Sequence, residues 1–223
     1  MKVDYQERAD ELLSRSMAYS FFADVFNTEV TRDFMAQMKD FSAPEGSKLS
    51  QFVSSLQDAD LGEVTQDVRS EFCALFLNMS AHPVFTSESV YVSDNHIIMQ
   101  EPRNQVVKAY RECGLAVDKE KFDWPEDHIS MEFLFMAHLC EQERLLCLEA
   151  MRLGIDGDLN EDIGALRNVQ KNFFESHIAL WVPLFIGELE ARAKTMFYAG
   201  IAEYLREFMA EEKAYLDDTL QMW

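Results

Sequence analysis

The sequence predicts an all-α fold, a single helical domain over residues 1–223 with roughly ten helices. Three observations lead there. Gly and Pro number only 8 and 5, too few for the many turns an all-β chain of this length needs. Apolar side chains recur at three- and four-residue steps along most of the chain. Helix signals bracket these segments: Asp4 stands three residues before Glu7, and Gly114 and Gly154 follow periodic stretches.

The elements follow in order. Asp4 caps the first helix, along which Leu12, Leu13, Met17, Phe21 and Val25 recur. A second begins near Thr31 and carries Phe34, Met38 and Phe41. Pro44 and Gly46 turn the chain into a short amphipathic helix bearing Leu49, Phe52, Val53 and Leu56. From Leu61 the pattern strengthens through Val64, Val68, Phe72, Leu75, Phe76 and Met79. Residues 82–95 lose the 3.6-residue period, and Pro83 and the serines there predict extended or loop structure. Pro102 opens a helix that ends at Gly114. Residues 115–123 read as a connector, after which Pro125 is expected to open the next helix. Glu126 and Asp127 would then occupy its first turn, where carboxylates suit the positive end of the helix dipole. That helix runs through Ile129, Phe133, Met136, Cys140 and Cys147. Asn160 is expected to cap another, with Ile163, Leu166, Val169 and Phe173. His177, Trp181, Phe185 and Leu189 form a ladder at four-residue steps, with Pro183 predicting a kink or a restart. Phe197, Ile201, Tyr204, Leu205 and Phe208 mark the last helix.

Forty acidic against 20 basic residues give a formal charge of −20. Such a chain repels phosphate backbones and anionic membrane surfaces and attracts basic peptides, so no nucleic-acid partner is expected. The charged N-terminus lacks an apolar signal core, and no apolar run reaches membrane-spanning length, so a cytoplasmic chain is expected. None of the four cysteines forms a CxxC pair, and Cys140 and Cys147, seven apart, read as buried small hydrophobes.

Catalytic and cofactor signatures are missing: no GxSxG, Walker A or GxGxxG run occurs, so neither a catalytic residue nor a cofactor is expected. His128 and Glu132 share a helical face, as half of a metal site would. His138 follows ten residues after His128, about 80° around the helix and about 15 Å along it, too far to share the ion. No metal is expected.

Taken in order, these segments resemble the TorD/DmsD family of redox enzyme maturation chaperones. The resemblance runs through Tyr19 and Phe21, Glu71 to Phe76 (EFCALF), residues 82–91 (HPVFTSESVY), Tyr110 and Gly114. It continues through residues 125–136 (PEDHISMEFLFM), the His177, Trp181 and Phe185 ladder, and Phe197 with Tyr198. The PEDHI run is its most specific part.

The resemblance implies an all-helical chaperone that binds the twin-arginine signal peptide and the apo form of a molybdenum-cofactor oxidoreductase precursor. It also implies a monomer able to form a dimer by exchanging halves about residues 115–124. Asp127 and His128 match the family's peptide-binding pair, and Phe72, Leu75 and Phe76 match its apolar patch. Phe85 and Tyr91 stand in a stretch that is Trp-rich in some relatives. The chemistry agrees. An arginine pair calls for carboxylates such as Glu126 or Asp127, flanked here by Trp124 and Pro125, and the apolar run behind it calls for a groove. Two other readings remain at this point: an assembly factor for a non-exported nitrate-reductase-type subunit, and a small hydrolytic enzyme using His128 and its neighbouring carboxylates.

Overall fold

The computed structural model describes residues 4–154 and 160–218. Among them the chain is all-α: ten α-helices and one π-helical turn, with a lone bridge between Ser87 and His128 in place of any sheet. The helices are α1 (Tyr5–Asn27), α2 (Arg32–Met38), α3 (Lys48–Ser55), α4 (Leu61–Phe76), α5 (Glu88–Val92) and α6 (Glu101–Glu112). After them come α7 (Ile129–Leu153), α8 (Asn160–Phe173), α9 (Ala179–Arg192) and α10 (Met196–Asp218), with the π-turn Phe174–Ile178 between α8 and α9.

Local chemistry sets most of the starts. Asp4 accepts from the amides of Gln6 and Glu7 at 3.0 and 3.2 Å and so caps α1. Thr31, Ser47 and Asp60 do the same for α2, α3 and α4. Gly114 and Gly154, at φ 73° and 64°, close α6 and α7 in the left-handed region that an L side chain disfavours.

Three expectations need correction. Residues 82–95 are not wholly extended, because α5 forms inside them. The helix expected to open at Pro125 opens at Ile129: His128, at φ −75° and ψ 142°, is its N-cap, and Pro125, Glu126 and Asp127 lie ahead of it. Pro183 neither stops nor restarts α9, which runs through it, and the irregularity falls upstream in the π-turn. Asn160 begins α8, and its expected capping side chain lies outside the described residues.

The chain divides into two compact units, each assembled from separated stretches. The first comprises Met1–Asp24, Ser87–Leu180 and Lys213–Trp223, and the second Val25–Thr86 and Trp181–Glu212. In the first, Tyr19 and Phe22 of α1 meet Phe133 of α7 at ring separations of 5.6 and 6.3 Å. Tyr110, Phe135 and Phe173 pack beside one another at 4.6 to 6.1 Å. In the same unit, Glu143 of α7 is fully buried. One of its oxygens accepts from Arg8 of α1 at 2.9 Å and from Arg167 of α8 at 2.7 Å, and the other from Gln170 at 2.7 Å. In the second unit, Phe26 meets Phe76 and Phe185 at 5.8 and 5.1 Å. The buried carboxylate of Glu71 accepts from the amides of Lys194 and Thr195 and so holds the turn between α9 and α10.

Two substitutions test this packing. Glu143→Ala leaves two buried guanidinium groups without their carboxylate and should lower stability by about 3–5 kcal/mol in urea titration. Gly200 of α10 lies so close to α3 that a Cβ there would stand 2.7 Å from the Leu49 amide nitrogen. Gly200→Val should therefore cost about 1–3 kcal/mol, whereas Gly187→Ala in α9, with open space around it, should be neutral or stabilising.

Candidate binding site

The PEDHI segment lies in the first unit and is held from three sides. The carboxylate of Glu126 accepts from Arg103 of α6 at 2.6 Å and pairs with Lys119 of the connector at 3.1 Å. Burial by itself would raise its pKa, but these two cations bring it down to about 2. The Glu126 carbonyl accepts from the Tyr110 phenol at 3.0 Å.

Asp127 is bonded to the start of α5. It is wholly buried, and its Oδ2 accepts from both the amide (2.9 Å) and the hydroxyl of Ser89. Its own carbonyl takes the amide of Glu88 at 2.9 Å. Two residues 38 positions apart thus supply and receive the cap of α5. Glu88 continues the join, since its carboxylate meets Nδ1 of His177 in the π-turn at 3.0 Å.

His128 caps α7. Its Nδ1 accepts from the Ser130 amide at 3.2 Å, which places the proton of the neutral ring on Nε2. Burial lowers its pKa to about 3, so the ring is neutral at physiological pH. Trp124 stacks over it, ring centroids 4.5 Å apart and planes within 10°. Asp127 Oδ1, His128 Nε2 and Ser130 Oγ are buried with no hydrogen-bond partner among the described residues.

The other predicted residues sort by unit. Phe72, Leu75 and Phe76 belong to the second, at 1%, 4% and 8% exposure, and Phe76 packs on Phe72, Tyr198 and Phe185. They form a closed core in this conformation, not an open patch. Phe85, also in the second unit, is 43% exposed. Tyr91, Trp124 and Pro125, in the first, are half-buried. The connector helps to line an open, mainly apolar pocket of about 250 Å³ in the first unit, with Tyr110, Leu115, Val117, Phe122, Met131, Leu134, Phe135 and His138 among its walls.

The arrangement suits recognition better than catalysis. The imidazole of His128 is covered and already serves a backbone amide. No group of three or more His, Cys, Asp or Glu side chains able to hold a metal ion occurs among the described residues. Ser89, Glu88, Arg103 and Lys119 escaped the sequence reading although they hold the site together. The one local hint was the Ser-Glu-Ser run, whose side chains suit a helix start.

Comparison with known proteins places the chain. The profile described as nitrate reductase delta subunit matches residues 39–187, more than half of the length. The chaperone protein TorD of Vibrio parahaemolyticus serotype O3:K6 is 22% identical over 214 residues, covering 91% of this chain and 94% of the relative. TorD of a Psychrobacter species is 23% identical over 220 residues, covering 92% of each. TorD of Photobacterium profundum is 27% identical over 150 residues, covering 67% of this chain and 64% of the relative. The fold thus belongs to the class of all-helical proteins. The chain is a member of the nitrate reductase delta subunit family and is similar to TorD chaperones along most of its length.

The site makes a pH prediction. His128 is held neutral in the fold, while the unfolded ring protonates near 6.5, so stability falls as pH drops from about 6.5 towards about 3. Glu126, whose folded pKa is depressed, adds its loss only below about 4.5. Between pH 7.5 and 5 the His128 contribution should be about 2 kcal/mol. His128→Asn keeps a capping oxygen and removes the titration, so urea midpoints of this variant should vary less over that range. Equal pH dependence in both proteins would show that His128 is not held neutral by burial.

Proposed function

We propose that this chain is a cytoplasmic chaperone that binds the twin-arginine signal peptide and the apo form of a molybdenum-cofactor oxidoreductase, assisting cofactor insertion and proofreading before export. The observation that carries the reading is the family match, joined to TorD relatives spanning nine-tenths of the chain. The charge of −20 supports it, since a leader with adjacent arginines is drawn to an acidic surface. No helix among the described residues is long and apolar enough to cross a membrane. The unpartnered polar atoms of Asp127, His128 and Ser130 are unusual for a protein interior and fit a region that changes its contacts when a client binds.

A second reading draws on the printed description of the family, nitrate reductase delta subunit. It makes the client a subunit without a twin-arginine leader.

Affinity purification of the tagged chain from anaerobically grown cells of its source separates the two. The expected result is a retained molybdoenzyme precursor whose affinity, measured by calorimetry, falls about tenfold or more when its leader is removed. Equal retention of a molybdoenzyme subunit that has no such leader would replace the first reading by the second. Retention of no molybdoenzyme would exclude both.

A further inference from the structure

Asp127 is sealed from solvent and bonded to Ser89. A buried side chain acts on a ligand either by being uncovered or by holding something else in place. The segment beyond Ser89 shows what it holds.

Three consecutive large apolar residues, Ile97, Ile98 and Met99, are 55%, 50% and 56% exposed. A soluble chain seldom displays such a run on an ordered loop without a use for it. The loop is tied down along its length. The Ser89 hydroxyl, itself held by Asp127, accepts from the Gln100 amide at 3.1 Å. Nδ1 of His96 lies 3.0 Å from the Val90 carbonyl. The Gln100 side chain donates to the Ile98 carbonyl at 3.0 Å. His96 and Met99 are bent into the left-handed region, at φ 51° and 61°. Strain of this kind in non-glycine residues persists only where surrounding contacts enforce it, and it gathers at binding surfaces. Exposed carboxylates flank the run on both sides, Asp94 before it and Glu101 after it.

We infer that the Ile97–Ile98–Met99 loop is a docking surface for a partner polypeptide segment in which basic residues adjoin an apolar run, and that Asp127 is a positioning residue for it, acting through Ser89. The apolar tip buries against the apolar run, and the flanking carboxylates select the basic end. This rests on the chaperone reading and gives it a surface and a division of labour. Asp127 touches the loop's anchor and not the peptide.

The probe is a synthetic peptide with two adjacent arginines followed by a leucine-rich run bearing one photo-crosslinking residue, read by fluorescence anisotropy against the full chain. A control peptide carries glutamates in place of the arginines. The triple substitution Ile97→Ser, Ile98→Ser, Met99→Ser should weaken binding about tenfold or more, with the melting temperature within about 4 °C of wild type. Crosslinks should map to residues 97–99. Asp127→Ala should weaken binding to a similar degree and speed amide exchange across residues 93–100. Asp127→Asn, which keeps an acceptor for the Ser89 amide, should restore most of both. Ser89→Ala should weaken binding and loosen the loop although its side chain is buried. Wild-type affinity in the triple variant, or crosslinks confined elsewhere, would overturn the docking surface while leaving the chaperone reading in place. Lost binding in Asp127→Ala with unchanged exchange in the loop would overturn the positioning role. A wild-type chain that binds both peptides equally weakly would remove the chaperone reading and this inference together.

Discussion

A carboxylate taken out of water must be met by donors, or its burial costs several kcal/mol. That constraint recurs in both units of this fold. In the first, Glu143 draws on Arg8, Arg167 and Gln170, Asp127 on Ser89, and Glu88 lies against His177. In the second, Glu71 draws on the backbone ahead of α10. The partners come from elements remote in sequence. Each of these contacts therefore forms only when those elements have already packed, and a misplaced helix strands a charge. Such groups add little net stability over an apolar equivalent, but they penalise alternative arrangements of helices that are otherwise much alike.

The same constraint divides the chain's acidity into two populations. Exposed carboxylates produce a field and repel anions. Buried ones act as joints. Glu126 lies between the two, nearly covered and already matched to Arg103 and Lys119. An incoming arginine would have to displace a cation there, so Glu126 is a poor first contact for a leader peptide. The acidic motif that stands out in the sequence is mainly a clasp, and the exposed carboxylates that shape the surface field lie elsewhere.

Helix positions and most of the core were legible because apolar periodicity and capping residues are local. The ladder from His177 to Leu189 is buried throughout, and Cys140 and Cys147 lie in the core as small hydrophobes. What escaped was long-range and polar. The start of α5 depends on a carboxylate 38 residues later, which no window around residues 82–95 contains. On α8 the buried stripe includes Arg167 and Gln170, which an apolar pattern counts as outward-facing. The opening of α7 was misplaced by four residues because Pro125 followed by two acids imitates a first helical turn. The actual cap is a histidine, an uncommon choice, made workable by burial that keeps its Nδ1 unprotonated. The apolar patch at Phe72, Leu75 and Phe76 was found as a cluster, but its closure within the second unit depends on rings from α9 and α10.

The segment between α4 and α6 brings these threads together. A helix of five residues has no stability of its own, since nucleation consumes more conformational freedom than one turn returns. α5 exists because Asp127 and its carbonyl receive the amides of Ser89 and Glu88, and because Glu88 is held against His177. Its shape is thus a property of the α7 entrance and the π-turn together. Coupling of this kind is reciprocal. Whatever grips the exposed residues beyond α5 stabilises the Asp127 contact, and whatever loosens Asp127 releases the surface. A buried motif can in this way control an exposed one without meeting the ligand, through hydrogen bonds that leave no trace in local sequence pattern.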